Sequence, residues 1–241
     1  MKISVIVPAF NEEKLLAESL RHIRAAMAAF AQRGWETELI VCDNNSTDRT
    51  AEIARAGGAT VVFEPVNQIA RARNCGAAAA TGDWLVFVDA DSHPTAELFA
   101  EAAEQIVSGD CLAGGCTVHL PADRFLPKCV VALWNGISRA CRLAAGSFIF
   151  CESAAFRELD GFSERYYASE EIDFSRRLKR LARRKGRRMV ILHQHPLSTS
   201  PRKLHLYSTM EYVRFILKNM LCGGRSLTRR EDCFPWYDGR R

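Results

Sequence analysis

The chain has 241 residues, 48% of them hydrophobic and 25% charged, with a formal net charge of +5. That length can bury one sizeable α/β core, and the balance excludes disordered and collagen-like chains. No apolar run approaches the roughly 20 residues a bilayer crossing needs. The first residues do not read as a secretory signal. Nine cysteines with no Cys-x-x-Cys pair point to reduced thiols in a cytoplasmic setting.

In chain order, Lys2–Val7 is a β-branched apolar run and predicts a buried strand. Glu12–Arg33 has helical periodicity through Leu16, Leu20, Ile23, Met27 and Phe30. Glu38–Cys42 predicts a second strand, and Ser46-Thr47-Asp48 can cap a helix that stops at Gly57-Gly58. Thr60–Phe63 predicts a third strand, Ile69–Ala80 a helix, Trp84–Val88 a fourth strand and Thr95–Val107 a helix. This alternation predicts a parallel, doubly wound sheet.

After about residue 110 the rhythm changes. Leu112–Val118 and Ser147–Cys151 predict strands, and Phe125–Leu143 a helix with Val130, Leu133, Trp134, Ile137 and Cys141 on one side. Glu170–Lys185 predicts a helix whose Phe174, Leu178 and Leu181 face the core, with Ser169 as its cap. Arg188–Leu192 predicts a strand and Leu204–Leu221 a last helix, before a tail with Phe234, Trp236 and Tyr237. Residues 1–110 thus form one half of the fold, 111–200 a second half of the same domain, and 201–241 a C-terminal helix and tail.

Charge is divided unevenly. Residues 1–175 hold 15 Lys/Arg against 24 Asp/Glu, whereas residues 176–241 hold 18 against 4. The stretch from Arg176 to Arg188 carries nine basic residues and no acid. This pattern suits either an anionic partner or a solvated helix face. The tract lacks the interleaved aromatics of a base-stacking platform, so nucleic acid is not the expected partner.

Ligands of parallel sheets bind at the carboxyl ends of strands, and the polar clusters fall there. Pro8–Glu12 follows the first strand, Asp43–Asp48 the second and Asp89-Ala90-Asp91 the fourth, while Arg71–Asn74 lies on the helix before it. Neither a Gly-x-Gly-x-x-Gly turn nor a P-loop is present to cradle phosphate. Instead, Asp89 and Asp91 can share a hard divalent cation, which neutralises phosphate oxygens. The plain alternative is a solvated strand end, with Ser92 capping the next helix.

Several runs together resemble the nucleotide-sugar glycosyltransferases of family 2. They are Ile3–Glu13 (Ile-Ser-Val-Ile-Val-Pro-Ala-Phe-Asn-Glu-Glu), Val41–Asp48, Ala72–Gly76, Gly82–Asp91, Leu159–Phe162 and Ser169–Phe174. The resemblance covers residues 2 to 185 and keeps the family's motif order. It implies a GT-A fold: a Rossmann-like, mostly parallel central sheet flanked by helices, with a helical and irregular extension on the acceptor side.

The resemblance also implies roles. Pro8, Ala9 and Glu12 would line the nucleotide pocket, Asp43 would accept a hydrogen bond from the base, and Arg73 would reach the base or phosphate side. Asp89 would touch ribose and metal, Asp91 would bind the metal, and the cofactor would be Mn²⁺ or Mg²⁺. The family's Asp-Asp-Gly-Ser-Thr-Asp is here Asp43-Asn-Asn-Ser-Thr-Asp48, so a neutral Asn44 stands where the second acid is usual.

Direct displacement at an anomeric carbon also needs a base for the acceptor hydroxyl. By position Glu171 matches the family's catalytic acid, with Glu170 and Asp173 as alternatives. A late His193-x-His195 offers His195 as a further metal ligand or as a structural residue. The loop Ser198–Lys203 can close over a diphosphate or stay solvated.

The expected activity is inverting transfer of a sugar from a UDP- or GDP-linked donor to a hydroxyl, on a lipid-linked or glycan acceptor. Two rivals stand beside it: a nucleotidyltransferase on a similar sheet, and a non-catalytic module that binds an anionic surface. The expected location is the cytoplasm, with peripheral contact to the inner face of the cell membrane through the basic C-terminal third.

Overall fold

The computed structural model describes residues 1–121 and 125–200, Arg202, Glu211, Arg214, Lys218, residues 225–233 and Tyr237. The expected helix Leu204–Leu221 falls outside the described residues except at Glu211, Arg214 and Lys218, and so do Phe234 and Trp236. The first half alternates as its periodicity predicts: β1 (Lys2–Ala9), α1 (Leu16–Ala31), β2 (Glu36–Asp43), α2 (Thr50–Ala56), β3 (Thr60–Phe63), α3 (Ile69–Ala79), β4 (Trp84–Val88). Then follow β5 (Ser92–His93), α4 (Ala96–Val107), β6 (Cys111–His119), α5 (Phe125–Cys141), β7 (Phe148–Glu152), α6 (Ser153–Glu158), α7 (Glu170–Arg184) and β8 (Arg188–Thr199).

The strands make one eight-stranded sheet in the order β3-β2-β1-β4-β7-β6-β8-β5. β3, β2, β1 and β4 are mutually parallel. β7 enters antiparallel between β4 and β6, β8 lies parallel to β6, and β5 closes the edge antiparallel to β8. β1 sits centrally and is buried on both faces from Ile3 to Ala9, which is why its sequence is continuously apolar rather than alternating.

Each face of the sheet carries its own core. On one, Leu20, Ile23 and Phe30 of α1 and Phe99 of α4 pack on Val5, Val86 and Phe148. On the other, Phe87, Phe156, Phe162, Phe174 and Leu178 join β4, α6 and α7. The Phe162 and Phe174 rings lie 4.3 Å apart and Phe162 meets Phe87 edge-on at 5.1 Å. Such pairs add about 0.5–1.5 kcal/mol each beyond their area burial. Gly76 lets α3 lie flat on the sheet, since a Cβ there would come within 2.5 Å of Ile6 Cγ2.

Three local expectations are corrected. Thr95, not Ser92, caps α4: its side chain accepts from the Leu98 amide at 3.2 Å, while Ser92 opens β5. Ser169 stands at the N-cap of α7 with φ 62 and makes no side-chain cap bond. β8 does not stop at Leu192 but runs to Thr199, because Val118 and His119 of β6 pair with Leu197 and Ser198. His193 and His195 are therefore mid-strand, and Ser198 and Thr199 belong to the sheet rather than to a loop. The apolar side of α5 faces away from the core: Val130, Leu133 and Ile137 are 58%, 67% and 42% exposed.

Candidate active site

The carboxyl ends of β1, β2 and β4 converge on one cleft. Pro8, Ala9, Phe10 and Glu12 line it from the β1 end, Asn44 from β2, and Asp89, Ala90 and Asp91 from β4. Asn67, Ile69, Ala72, Arg202 and Tyr237 complete the walls.

The β1 and β2 loops are laced together by the polar residues of their motifs. Asn11, in the left-handed region at φ 52, accepts from the Thr47 amide at 2.8 Å, and its own amide donates to Ser46 Oγ at 3.0 Å. Asp48 accepts from the Glu13 amide at 3.1 Å and the Thr50 amide at 2.9 Å. Asp43 is buried and accepts from the Ser46 amide at 3.0 Å.

Asn44 explains its own departure from the family pattern. Its side-chain amide donates to the carbonyls of Glu64 (3.1 Å) and Val66 (2.6 Å), and its Oδ1 accepts from the Gln68 amide at 2.9 Å. A carboxylate has no donor for the two carbonyls. The neutral residue thus pins the segment that brings Asn67 and Ile69 to the cleft.

Arg73 is the hub. It is 1% exposed, and its guanidinium donates to Asp89 Oδ1 (3.0 Å), to the Gly146 carbonyl (2.9 Å) and to Glu170. It also stacks over Phe162, 5.2 Å from the ring centre. Burial alone would favour the neutral form, but Asp89, Glu170 and Glu171 outweigh it and hold the group firmly charged. Arg73, expected to reach the base or phosphate side, is not among the residues lining the cleft; it joins the β4 end to the start of α7. Next to it, Asn74 exchanges two hydrogen bonds with Phe162, each 2.9 Å, fixing the Leu159–Phe162 turn.

The three acids of α7 have different surroundings. Glu170 is buried against Arg73. Asp173 bonds Arg177 at 2.7 Å, and Arg177 in turn donates to the carbonyls of Leu159 (2.7 Å) and Gly161 (2.8 Å), so Asp173 braces that turn. Glu171 is half-buried. Desolvation and then the Glu170 charge push its carboxyl up to about 8; Arg73 offsets part of this, and Asp89 adds to the rise.

At the open side, Arg202 makes a bidentate pair with Glu12, both bonds 2.7 Å, and stands 3.8 Å from Asp91 Oδ2. Tyr237 comes back from the tail: its hydroxyl accepts weakly from the Ile69 amide at 3.4 Å, and its ring meets Tyr167 edge-on at 5.6 Å. His195 is not brought to the aspartates. Among the described residues it joins no cluster of metal-type donors. Sequence reasoning missed Asn67, Ile69 and Tyr237 as cleft residues. The tail gave only an aromatic signal, and the other two carried none.

The fold is that of GT-A proteins. S. aureus TarS in complex with UDP is 25% identical, with a TM-score of 0.64 over 84% of this chain and 62% of that one. The mannosyltransferase PcManGT from Pyrobaculum calidifontis, in complex with GDP-Man and Mn²⁺, is 20% identical, with a TM-score of 0.67 over 88% and 59%. The family model for glycosyl transferase family 2 matches residues 4–157, and the chain belongs to that family.

Among curated relatives, the 4,4'-diaponeurosporenoate glycosyltransferase of Staphylococcus haemolyticus is 39% identical over 110 residues, 43% of this chain and 28% of that one. The dolichol-phosphate mannosyltransferase of Pyrococcus furiosus is 32% identical over 123 residues, 48% and 33% respectively. The matched stretches span less than half the length of these relatives.

Proposed function

We propose that this chain transfers a sugar, with inversion, from a UDP- or GDP-linked donor to an acceptor hydroxyl. The observation that carries the reading is the fully buried Arg73, which ties Asp89 to Glu170 and so sets Glu171 against the β4 end. The nucleotide lies along Pro8, Ala9 and Glu12, with Asp43, buried at the end of β2, accepting from the base.

Asp89 and Asp91 fit a divalent cation: both line the cleft with oxygen donors only, a set suited to Mn²⁺ or Mg²⁺. The cleft already draws a cation, since the Arg202 guanidinium lies between Glu12 and Asp91. When bound, the metal offsets charge on the departing diphosphate. Titrating donor nucleotides with and without Mn²⁺ tests this, with tighter binding expected in its presence and a loss of that gain in Asp91→Asn.

Glu171 takes the proton of the acceptor hydroxyl as its oxygen bonds the anomeric carbon. The bond from that carbon to the diphosphate oxygen breaks with its electron pair on the diphosphate. Glu170, neutralised by Arg73, holds the start of α7 in place. Arg202 can move from Glu12 to the diphosphate when the donor arrives.

We place the acceptor at an anionic membrane surface. Supporting this, Arg176, Arg180, Arg183 and Arg184 are exposed on α7, and Lys128, Arg139 and Arg142 flank the exposed apolar side of α5. Lys179 joins the two helices through the Cys141 carbonyl at 2.7 Å. Among the described residues no helix is long and apolar enough to cross a membrane, so attachment is interfacial. Co-sedimentation with anionic but not neutral vesicles, lost as salt rises, is expected; equal recovery with both contradicts it.

A further inference from the structure

A second group of donors lies on the α1 side of the sheet, outside the cleft. Glu18 and His22 are four residues apart on α1, the spacing that puts two side chains on one helix face. β5 lies against that face and contributes His93. The His22 and His93 rings stack with centroids 4.6 Å apart and planes 20° apart. His22 Nε2 is 3.9 Å from Glu18 Oε1, and one donor atom from each of the three residues lies within 4.8 Å of the others. Among the described residues no other trio of His, Cys, Asp or Glu meets that spacing.

His93 supplies the decisive detail. Its Nε2 is buried and has no hydrogen-bond partner among the described residues. A buried ring nitrogen without a partner is costly unless something fills its place. Glu18 and His22 are half exposed, so their side chains can turn toward it. Tetrahedral zinc holds its nitrogen and oxygen donors at about 2.0–2.2 Å, which sets them roughly 3.4 Å apart. Reaching that spacing from donor atoms within 4.8 Å of one another takes side-chain rotation of Glu18 and His22 that opens the His22–His93 stack.

We propose that Glu18, His22 and His93 bind a borderline divalent cation, Zn²⁺ being the reference ion, at a site separate from the aspartates of the cleft. Two imidazoles and one carboxylate favour zinc, copper or nickel over Mg²⁺ and Mn²⁺, which the oxygen-only Asp89 and Asp91 suit better. Arg21 competes for Glu18 through a 3.4 Å contact on the exposed side and is displaced on binding. The site tethers β5 to α1. β5 starts directly after Asp91 and pairs with Ser198 and Thr199, just before the segment that carries Arg202. A cation here therefore staples the sheet edge that bears one wall of the cleft.

The test is titration of the metal-stripped full chain with Zn²⁺ in excess Mg²⁺, alongside Co²⁺ as an optical probe. The expected result is one Zn²⁺ per chain, a tetrahedral Co²⁺ spectrum and a higher melting temperature with Zn²⁺. His22→Ala and His93→Ala should each weaken binding about tenfold or more, and Asp91→Asn should leave it unchanged. His22 lies on the helix surface, so that variant folds normally and circular dichroism can verify it. Wild-type protein that takes up no Zn²⁺ overturns the proposal. So does uptake that is unaltered in His22→Ala, or lost on thiol blocking instead.

Discussion

Glu171 has to be ionised to act as a base, yet its surroundings hold its carboxyl up at about 8. The rate of transfer should therefore climb with pH and level off above about 8. Glu171→Gln should cut kcat by about 10²–10⁴-fold with the donor KM unchanged, because only the proton acceptor is lost. The same shift acts on stability. With a folded value above the ordinary 4.5 of a Glu, the group's stabilising share is complete below about 4.5 and vanishes as pH rises toward 8. Glu171→Gln has no charge to bury, so above pH 8 it should melt at a higher temperature than the wild type. At Asn44 the expectation runs the other way: Asn44→Asp faces two carbonyls with a carboxylate and should cost about 1–3 kcal/mol in denaturant unfolding. The acids at the strand ends were legible because charged residues following apolar strands stand out. The role of Asn44 was not, since Glu64, Val66 and Gln68 reach it only through the tertiary fold.

α3 links the β4 end to the start of α7 and to the Leu159–Phe162 turn. Gly76 sets it on β1, Asn74 holds the Phe162 turn, and Arg73 joins Asp89 to Glu170. Arg73→Met strands two acids in a site built for a cation and should cost about 3–5 kcal/mol. Arg73→Lys keeps the charge but cannot span three acceptors with one planar group, so it should fold while losing kcat more than donor affinity. The opposite end of the sheet is stitched by Glu38, which bonds Lys2, Ser4 Oγ at 2.6 Å and the Thr81 amide at 2.7 Å. Burial resists its ionisation, but those bonds win and hold its carboxyl at about 2. Its contribution is present above about 4.5 and lost as pH falls toward 2, so Glu38→Gln should narrow its stability deficit against wild type under acid. Periodicity placed α3 and the first four strands to within two residues at each end. It did not reveal β5, α6 or the length of β8, because two-residue edge strands and pairing partners are set by neighbours distant in sequence.

Across the whole molecule, one sheet builds the cleft, from the carboxyl ends of β1, β2 and β4. The doubly wound pattern forecast the parallel half. The antiparallel β7 was hidden, since a short apolar run reads alike in either direction. That reversal lays the Ala145–Ser147 turn against Arg73 and Asp89, through the carbonyls of Gly146 and Ser147, and so helps close the site. The amphipathic pattern of α5 was legible as well, but such a pattern does not say whether its apolar side is covered, and here Val130, Leu133 and Ile137 are exposed. Sugar transfer through Asp91 and Glu171 is tested most directly by the nucleotide product released from UDP- and GDP-sugars with Mn²⁺ present. Nucleoside diphosphate should appear with wild type, stop with chelator, and be lost in Asp91→Asn and Glu171→Gln proteins that still fold. Pyrophosphate as the product, or turnover unchanged in both variants, would contradict the account.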